Sequence, residues 1–102
     1  MKFQIKSTNI VLTESLRNYI EEKIGKCERF IQLENFPLKA YVEIEKITDH
    51  HRKGDIFRAE VNMELPGKLL HCDARKNDIY LAINAVRNKL EREIKEYKEL
   101  KK

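Results

Sequence analysis

With 102 residues, 41% of them hydrophobic and 37% charged, the chain has room for one modest core and is expected to form a single domain over residues 1–102. No segment approaches the ~20 consecutive apolar residues of a membrane span, and MKFQIKSTNI at the start lacks the apolar run of a secretory signal, so a cytoplasmic protein with no membrane partner is expected. The formal charge of +4 and pI near 9.1 favour a polyanionic partner without establishing one, since such a charge also serves solubility.

KFQIKS (2–7) alternates Phe3 and Ile5 with Lys2, Gln4 and Lys6, the period of a half-buried strand. Thr13 is a good helix N-cap and Glu14 suits a first turn. From there Leu16, Tyr19, Ile20, Ile24, Cys27 and Ile31 recur at spacings of three and four, which predicts an amphipathic helix over 14–32. Gly25 falls on the polar side of that helix. It is expected to weaken the helix by up to ~1 kcal/mol relative to Ala without ending it.

NFP (35–37) breaks the pattern, and 38–47 reads as a strand with Ala40, Val42 and Ile44 on one face and Tyr41, Glu43 and Glu45 on the other. TDHHRKGD (48–55) is a polar connection. Phe57, Ala59, Val61, Met63 and Leu65 then alternate with polar residues, the clearest strand in the chain. Leu65-Pro66-Gly67-Lys68 is a turn signal, followed by a fourth strand carrying Leu70, Cys72 and Ala74 on its apolar phase. Asn77 or Asp78 can cap a last helix. On it Ile79, Ile83, Val86, Leu90, Ile94 and Tyr97 form one narrow apolar stripe. The order β-α-β-β-β-α predicts a two-layer α+β domain, with both helices packed on one face of a four-stranded, mostly antiparallel sheet. Both cysteines, Cys27 and Cys72, lie on apolar phases and are expected to be free buried thiols.

Catalytic constellations are mostly absent from the sequence. The three glycines stand alone, so there is no phosphate-cradling loop, and no nucleophile motif surrounds Ser7 or Ser15. His50-His51 are adjacent and complete no metal-ligand spacing, so no catalytic residue, metal or cofactor is expected. His71 reads as a partly exposed strand residue, and Asp49 and Asp55 as loop acids beside Arg52 and Lys53.

The charged residues fall in two rows. Lys23, Lys26 and Arg29 recur every third residue in the first helix, as do Lys89, Arg92, Lys95 and Lys98 in the last. Lys23 sits at the edge of the apolar face, where its stem can pack while its ammonium reaches outward. A plainer reading is a solvated, ion-paired helix, because Glu91–Lys95, Arg92–Glu96 and Lys95–Glu99 are all i,i+4 pairs. Tyr41 is the one aromatic assignable to the open sheet face. A bound nucleic acid would therefore be held by phosphates and shape before base reading.

The segments NIVLTESLRNYIEEKIGKCERFI and DIYLAINAVRNKLEREIKEYK resemble the ribosome hibernation-promoting factors, also called ribosome-associated inhibitors or ribosomal subunit interface proteins. The resemblance is carried by Thr13-Glu14, Leu16-Arg17, and Lys23 with Lys26 in the first helix. In the second it is carried by Asp78, Tyr80, Ala82-Ile83, Lys89-Leu90 and Arg92. It implies a β-α-β-β-β-α domain, monomeric when free, that binds rRNA of the small ribosomal subunit in the channel for messenger and transfer RNA. It further implies that occupying this channel silences ribosomes in stationary phase or stress, with no cofactor and no DNA partner. The rRNA-binding residues it implies are Lys23, Lys26, Lys89 and Arg92, with Arg29, Lys95 and Lys98 continuing the rows. The family often has a basic residue where Glu96 stands, and the length suits a short form or the N-terminal domain of a long form. A double-stranded RNA-binding module and a protein–protein adaptor remain the alternatives.

Overall fold

The computed structural model describes residues 1–31, 37–47 and 54–100. Strand β1 (Lys2–Thr8) leads through helix α1 (Glu14–Gly25) and a 3₁₀ segment (Lys26–Phe30) to β2 (Lys39–Lys46). Strands β3 (Phe57–Leu65) and β4 (Lys68–Lys76) and helix α2 (Ile79–Leu100) complete the order β-α-β-β-β-α. The strands lie in the order β1-β2-β3-β4. β1 pairs with β2 in parallel, with Ile5 beside Val42, while β2–β3 and β3–β4 are antiparallel. The parallel pair needs a crossover, which α1 and the 3₁₀ segment provide. The β3–β4 hairpin turns through Pro66 and Gly67. Gly67 has φ 75°, a left-handed conformation that favours glycine.

Alternation puts Ala40, Val42 and Ile44 of β2 on the buried face, beside Ala59, Val61 and Met63 of β3 and Leu70, Cys72 and Ala74 of β4. The stripe from Ile79 to Tyr97 on α2 covers β3 and β4, and Leu16, Ile20 and Ile24 of α1 join the same core. No polar or charged side chain is buried among the described residues. Both helices thus occupy one layer, as the periodicities predict.

The first helix differs from its expected span of 14–32. Its α-winding ends at Gly25 and continues as 3₁₀ to Phe30, and Ile31 is already extended at φ −119°. Gly25 is half-buried and lies by β1, since a Cβ there would stand 3.7 Å from Phe3 Cζ. In 3₁₀ winding, residues i and i+3 eclipse. That brings Cys27 into the core and Phe30 against its edge.

The opposite sheet face is open and holds a constraint that alternation alone does not reveal. Glu43, Glu60 and Asp73 stand side by side across β2, β3 and β4, an arrangement that like-charge repulsion disfavours. Arg58 resolves it by pairing with Glu60, with Asp73 at 3.4 Å and with Glu43 at 3.9 Å, while its side chain is only 18% exposed. Asn62 Nδ2 donates to Glu60 Oε1 at 3.0 Å, and Lys6 Nζ approaches Glu43 at 3.6 Å. Burial alone would push the Glu60 carboxyl up. The hydrogen bonds from Arg58 and Asn62 outweigh it and hold that carboxyl below the usual range.

Two predictions follow from this packing. Gly25 has helical dihedrals, φ −60° and ψ −33°, and the Phe3 contact is an ordinary van der Waals distance. Gly25→Ala should therefore raise stability by about 0.5–1 kcal/mol, read as an increased urea midpoint; a lowered midpoint would mean that the α-to-3₁₀ joint needs glycine. Because Glu60 is held below its ordinary value of 4.5, its contribution is complete above that pH and lost as pH falls through the lower folded value. Arg58→Met should lower the urea midpoint at pH 7 and flatten its decline between pH 5 and pH 3, on the order of the titration range of a perturbed carboxylate. Parallel wild-type and variant profiles would refute this role.

Candidate nucleic-acid interface

Helix α2 starts where Asp78 accepts from the backbone N–H groups of Tyr80 at 2.8 Å and Leu81 at 3.3 Å. Its core stripe fixes which way every other side chain points. A step of three residues turns the helix back by about 60°, so Lys89, Arg92, Lys95 and Lys98 wind across the outer surface from one flank of the stripe to the other. Lys89 lies on the β4 side, where its Nζ donates to the Asp73 backbone carbonyl at 2.7 Å. Lys95 lies toward the 3₁₀ segment, 5.1 Å from the centre of the Phe30 ring and 3.9 Å from Glu91. Arg92 and Lys98 are exposed and make no ion pair among the described residues.

The first basic row approaches the same seam. Lys23 is half-buried, with Nζ 5.5 Å from the Tyr19 ring centre, as its place at the edge of the apolar face predicts. Lys26 is exposed and pairs with Glu22 at 3.3 Å. The Arg29 guanidinium lies 4.9 Å from the centre of the Phe30 ring. Arg29 and Lys95, one from each row, therefore converge on one aromatic ring, an arrangement that cation–π attraction supports. Phe30 itself gave no signal in the sequence beyond being apolar.

Of the three i,i+4 pairs anticipated on α2, Glu91–Lys95 forms at 3.9 Å; Arg92–Glu96 and Lys95–Glu99 do not form among the described residues. Glu91 is shared with Arg87, whose guanidinium lies 3.2 Å away with its side chain 18% exposed. Sequence reasoning also missed a cluster at the other end of the seam. Tyr19 OH donates to Asn84 Oδ1 at 2.8 Å, and the Tyr19 and Tyr80 rings meet edge to face with centres 4.8 Å apart. Tyr19 and Asn84 lie 65 residues apart in sequence, so only the packing of α1 against α2 could reveal their contact.

Across α1, the 3₁₀ segment and α2, nine basic side chains (Arg17, Lys23, Lys26, Arg29, Arg87, Lys89, Arg92, Lys95 and Lys98) face eight acidic ones. Attraction for a polyanion thus depends on where the cations stand, since the helical layer has almost no net charge. The shallow cleft on the β4 flank illustrates the point: Lys89 and Arg92 share its lining with Asp73, Glu93 and Glu96. The seam flank, with Lys23, Arg29 and Lys95 on aromatic rings, is the better placed surface.

The remaining candidates are structural. His71 is exposed on the open sheet face, with Nδ1 2.6 Å from Asn62 Oδ1, and Tyr41 is half-buried on that face. His50, His51 and Asp49 lie outside the described residues, and no group of three potential metal ligands occurs among the described ones. No described helix is long and apolar enough to cross a membrane. Cys27 and Cys72 are free and buried. Burial, then the hydrogen bond to Glu93 at 3.2 Å, pushes the Cys72 thiol up to about 12, and burial likewise raises Cys27.

Residues 3–102 match the family described as Sigma 54 modulation protein / S30EA ribosomal protein. The chain is 35% identical over 99 residues to a ribosome hibernation promotion factor of Staphylococcus aureus (strain COL), covering 96% of this chain and 48% of that protein. It therefore spans about half the length of that relative. In structure it resembles the Thermus thermophilus Protein Y N-terminal domain, with a TM-score of 0.77 at 26% identity over 95% of this chain and 99% of the other. A ribosomal subunit interface protein from Coxiella burnetii shares the fold, with a TM-score of 0.75 at 20% identity over 97% and 99% of the two chains.

The thiol environments predict chemical inertness. Neither cysteine should react with a thiol-specific disulfide reagent in the native protein at pH 8, and both should react on unfolding, because the nucleophile is the thiolate. Rapid labelling of one thiol under native conditions would contradict the burial assigned to it.

Proposed function

Because the chain belongs to the Sigma 54 modulation protein / S30EA ribosomal protein family, we propose that it is a ribosome hibernation factor that binds the small ribosomal subunit. It occupies the channel used by messenger and transfer RNA and keeps cytoplasmic ribosomes dormant in stationary phase or under stress. It acts by steric exclusion as a monomeric domain, and the reading requires no cofactor and no bond-making step. Residues 1–102 constitute the ribosome-binding domain.

The observation that carries this reading is the convergence of Arg29 and Lys95 on Phe30. It joins the two basic rows across the α1–α2 seam into one surface suited to a phosphate backbone. Phosphates are recognised by positioned cations whose binding releases counterions. Lys23 stands farther along the same seam. Arg92 and Lys98 are exposed on α2 without acidic partners among the described residues. Lys26 and Lys89 have internal contacts at 3.3 Å and 2.7 Å, which rRNA phosphates would compete for. Arg29, Arg92 and Lys98 have no acidic partner among the described residues, and Lys95 has only the longer 3.9 Å contact to Glu91, which ranks these four ahead of Lys26 and Lys89.

Binding to purified small subunits should weaken steeply as salt rises, with log affinity linear in log salt. Arg29→Glu combined with Lys95→Glu should lower affinity by at least about tenfold and reduce the salt slope by roughly two phosphate contacts. Binding that ignores salt, or is unchanged in that variant, would sink the phosphate mechanism. Preference for a plain RNA duplex over the subunit would favour a duplex-binding module instead, and copurification with protein but no rRNA would favour an adaptor.

A further inference from the structure

The Tyr19–Tyr80–Lys23 cluster has a use that phosphate contacts leave unexplained. Tyr80 is 40% exposed at the start of α2, where burial of its ring would be expected if it served only the core. Its position is nonetheless fixed. Its backbone N–H donates to Asp78 at 2.8 Å, and its ring meets Tyr19 at 79° with centres 4.8 Å apart. Tyr19 is anchored in turn by its 2.8 Å hydrogen bond to Asn84. An edge-to-face contact occupies only an edge of one ring and a face of the other, so such a pair retains free π surface. Lys23 Nζ lies 5.5 Å from the Tyr19 ring centre, which places a cation beside the pair.

We propose that Tyr80 is a stacking platform for one unpaired nucleobase of the bound RNA, with Lys23 taking a phosphate next to that nucleotide. The inference rests on the RNA-binding reading above and deepens it. It assigns the Tyr80 end of the seam to an unstacked, single-stranded nucleotide, while the Phe30 end holds backbone. Stacking suits this place because the ring is already immobilised, so little rotamer entropy remains to be lost on binding. A base inside a duplex is already stacked on its neighbours and its face is unavailable, whereas loops and bulges offer theirs. Stacking also tolerates any base, because every base has a π face.

The test compares wild type, Tyr80→Phe, Tyr80→Leu, Tyr80→Ala and Arg29→Glu/Lys95→Glu for binding to purified small ribosomal subunits across a salt series. Ultraviolet crosslinking at Tyr80 is followed in parallel, and urea midpoints confirm that each variant is folded. Tyr80→Phe should bind as wild type does. Tyr80→Ala should bind about five- to a hundredfold more weakly, the loss expected from one base–aromatic stack, and Tyr80→Leu should lose nearly as much despite its apolar bulk. None of these variants should alter the salt slope, since none removes a cation; the charge-reversal pair should alter it. The crosslink should map to an unpaired rRNA nucleotide. Wild-type affinity in Tyr80→Leu or Tyr80→Ala would overturn the platform while leaving the phosphate reading intact. Equal loss in Tyr80→Phe would overturn it in favour of a hydroxyl contact, and a crosslink to a ribosomal protein would overturn it in favour of a protein contact. If wild-type protein fails to bind the subunit at all, both this proposal and the reading it rests on fall.

Discussion

The structure depends on one sheet face having to be dried. Four strands expose an apolar row from Ile5 across to Cys72, and among the described residues the two helices and the 3₁₀ segment offer the apolar sides that cover it. The hydrophobic effect scales with the area removed from water, so both helices turn their stripes onto the same layer. Every other side chain then takes its direction from that choice. With 37% of residues charged and no charged group buried among the described residues, the charge is divided between the outer helix surface and the open sheet face.

These two charged surfaces are built differently. On the open face, side chains directly opposite one another on neighbouring strands are locked in register, and three carboxylates end up adjacent. Arg58 serves as their common counterion, and the result is internally compensated. On the helices the geometry spreads like charges around a cylinder, and compensation is incomplete. Glu91 takes both Arg87 and Lys95, and Arg92 and Lys98 form no ion pair among the described residues. The same kind of composition therefore yields a satisfied surface on one layer and a receptive one on the other.

The seam between α1 and α2 is where packing and recognition coincide. The aromatic side chains Tyr19, Phe30 and Tyr80 lie at its margin, with Lys23 against the Tyr19 ring and Arg29 and Lys95 against the Phe30 ring. A cation held on a ring has lost part of its freedom before any partner arrives, which lowers the ordering cost of binding. The shift from α to 3₁₀ winding after Gly25 contributes here. It sends Cys27 inward and keeps Phe30 at the core margin, within reach of Lys95 from the neighbouring helix.

How much of this was legible in the sequence follows from the range of each interaction. The strands, the second helix, the two-layer arrangement and the buried cysteines follow from periods of two and of three to four residues, which are local, and the structure bears them out. The two basic rows were equally local and equally readable as rows. Their juxtaposition was not, because Arg29 and Lys95 meet only after the sheet has placed α1 and α2 side by side. For the same reason the Tyr19–Asn84 hydrogen bond and the Arg58 cluster left no trace in the sequence pattern. The end of α1 was misjudged because helix propensity describes an isolated segment, whereas Gly25 lies against Phe3 from another strand. By itself, the sequence determined which residues are apolar, at what spacing, and hence which faces must be buried. Tertiary structure alone decided which charged and aromatic groups share a neighbourhood, because distance in space is set by how the layers pack and not by separation along the chain.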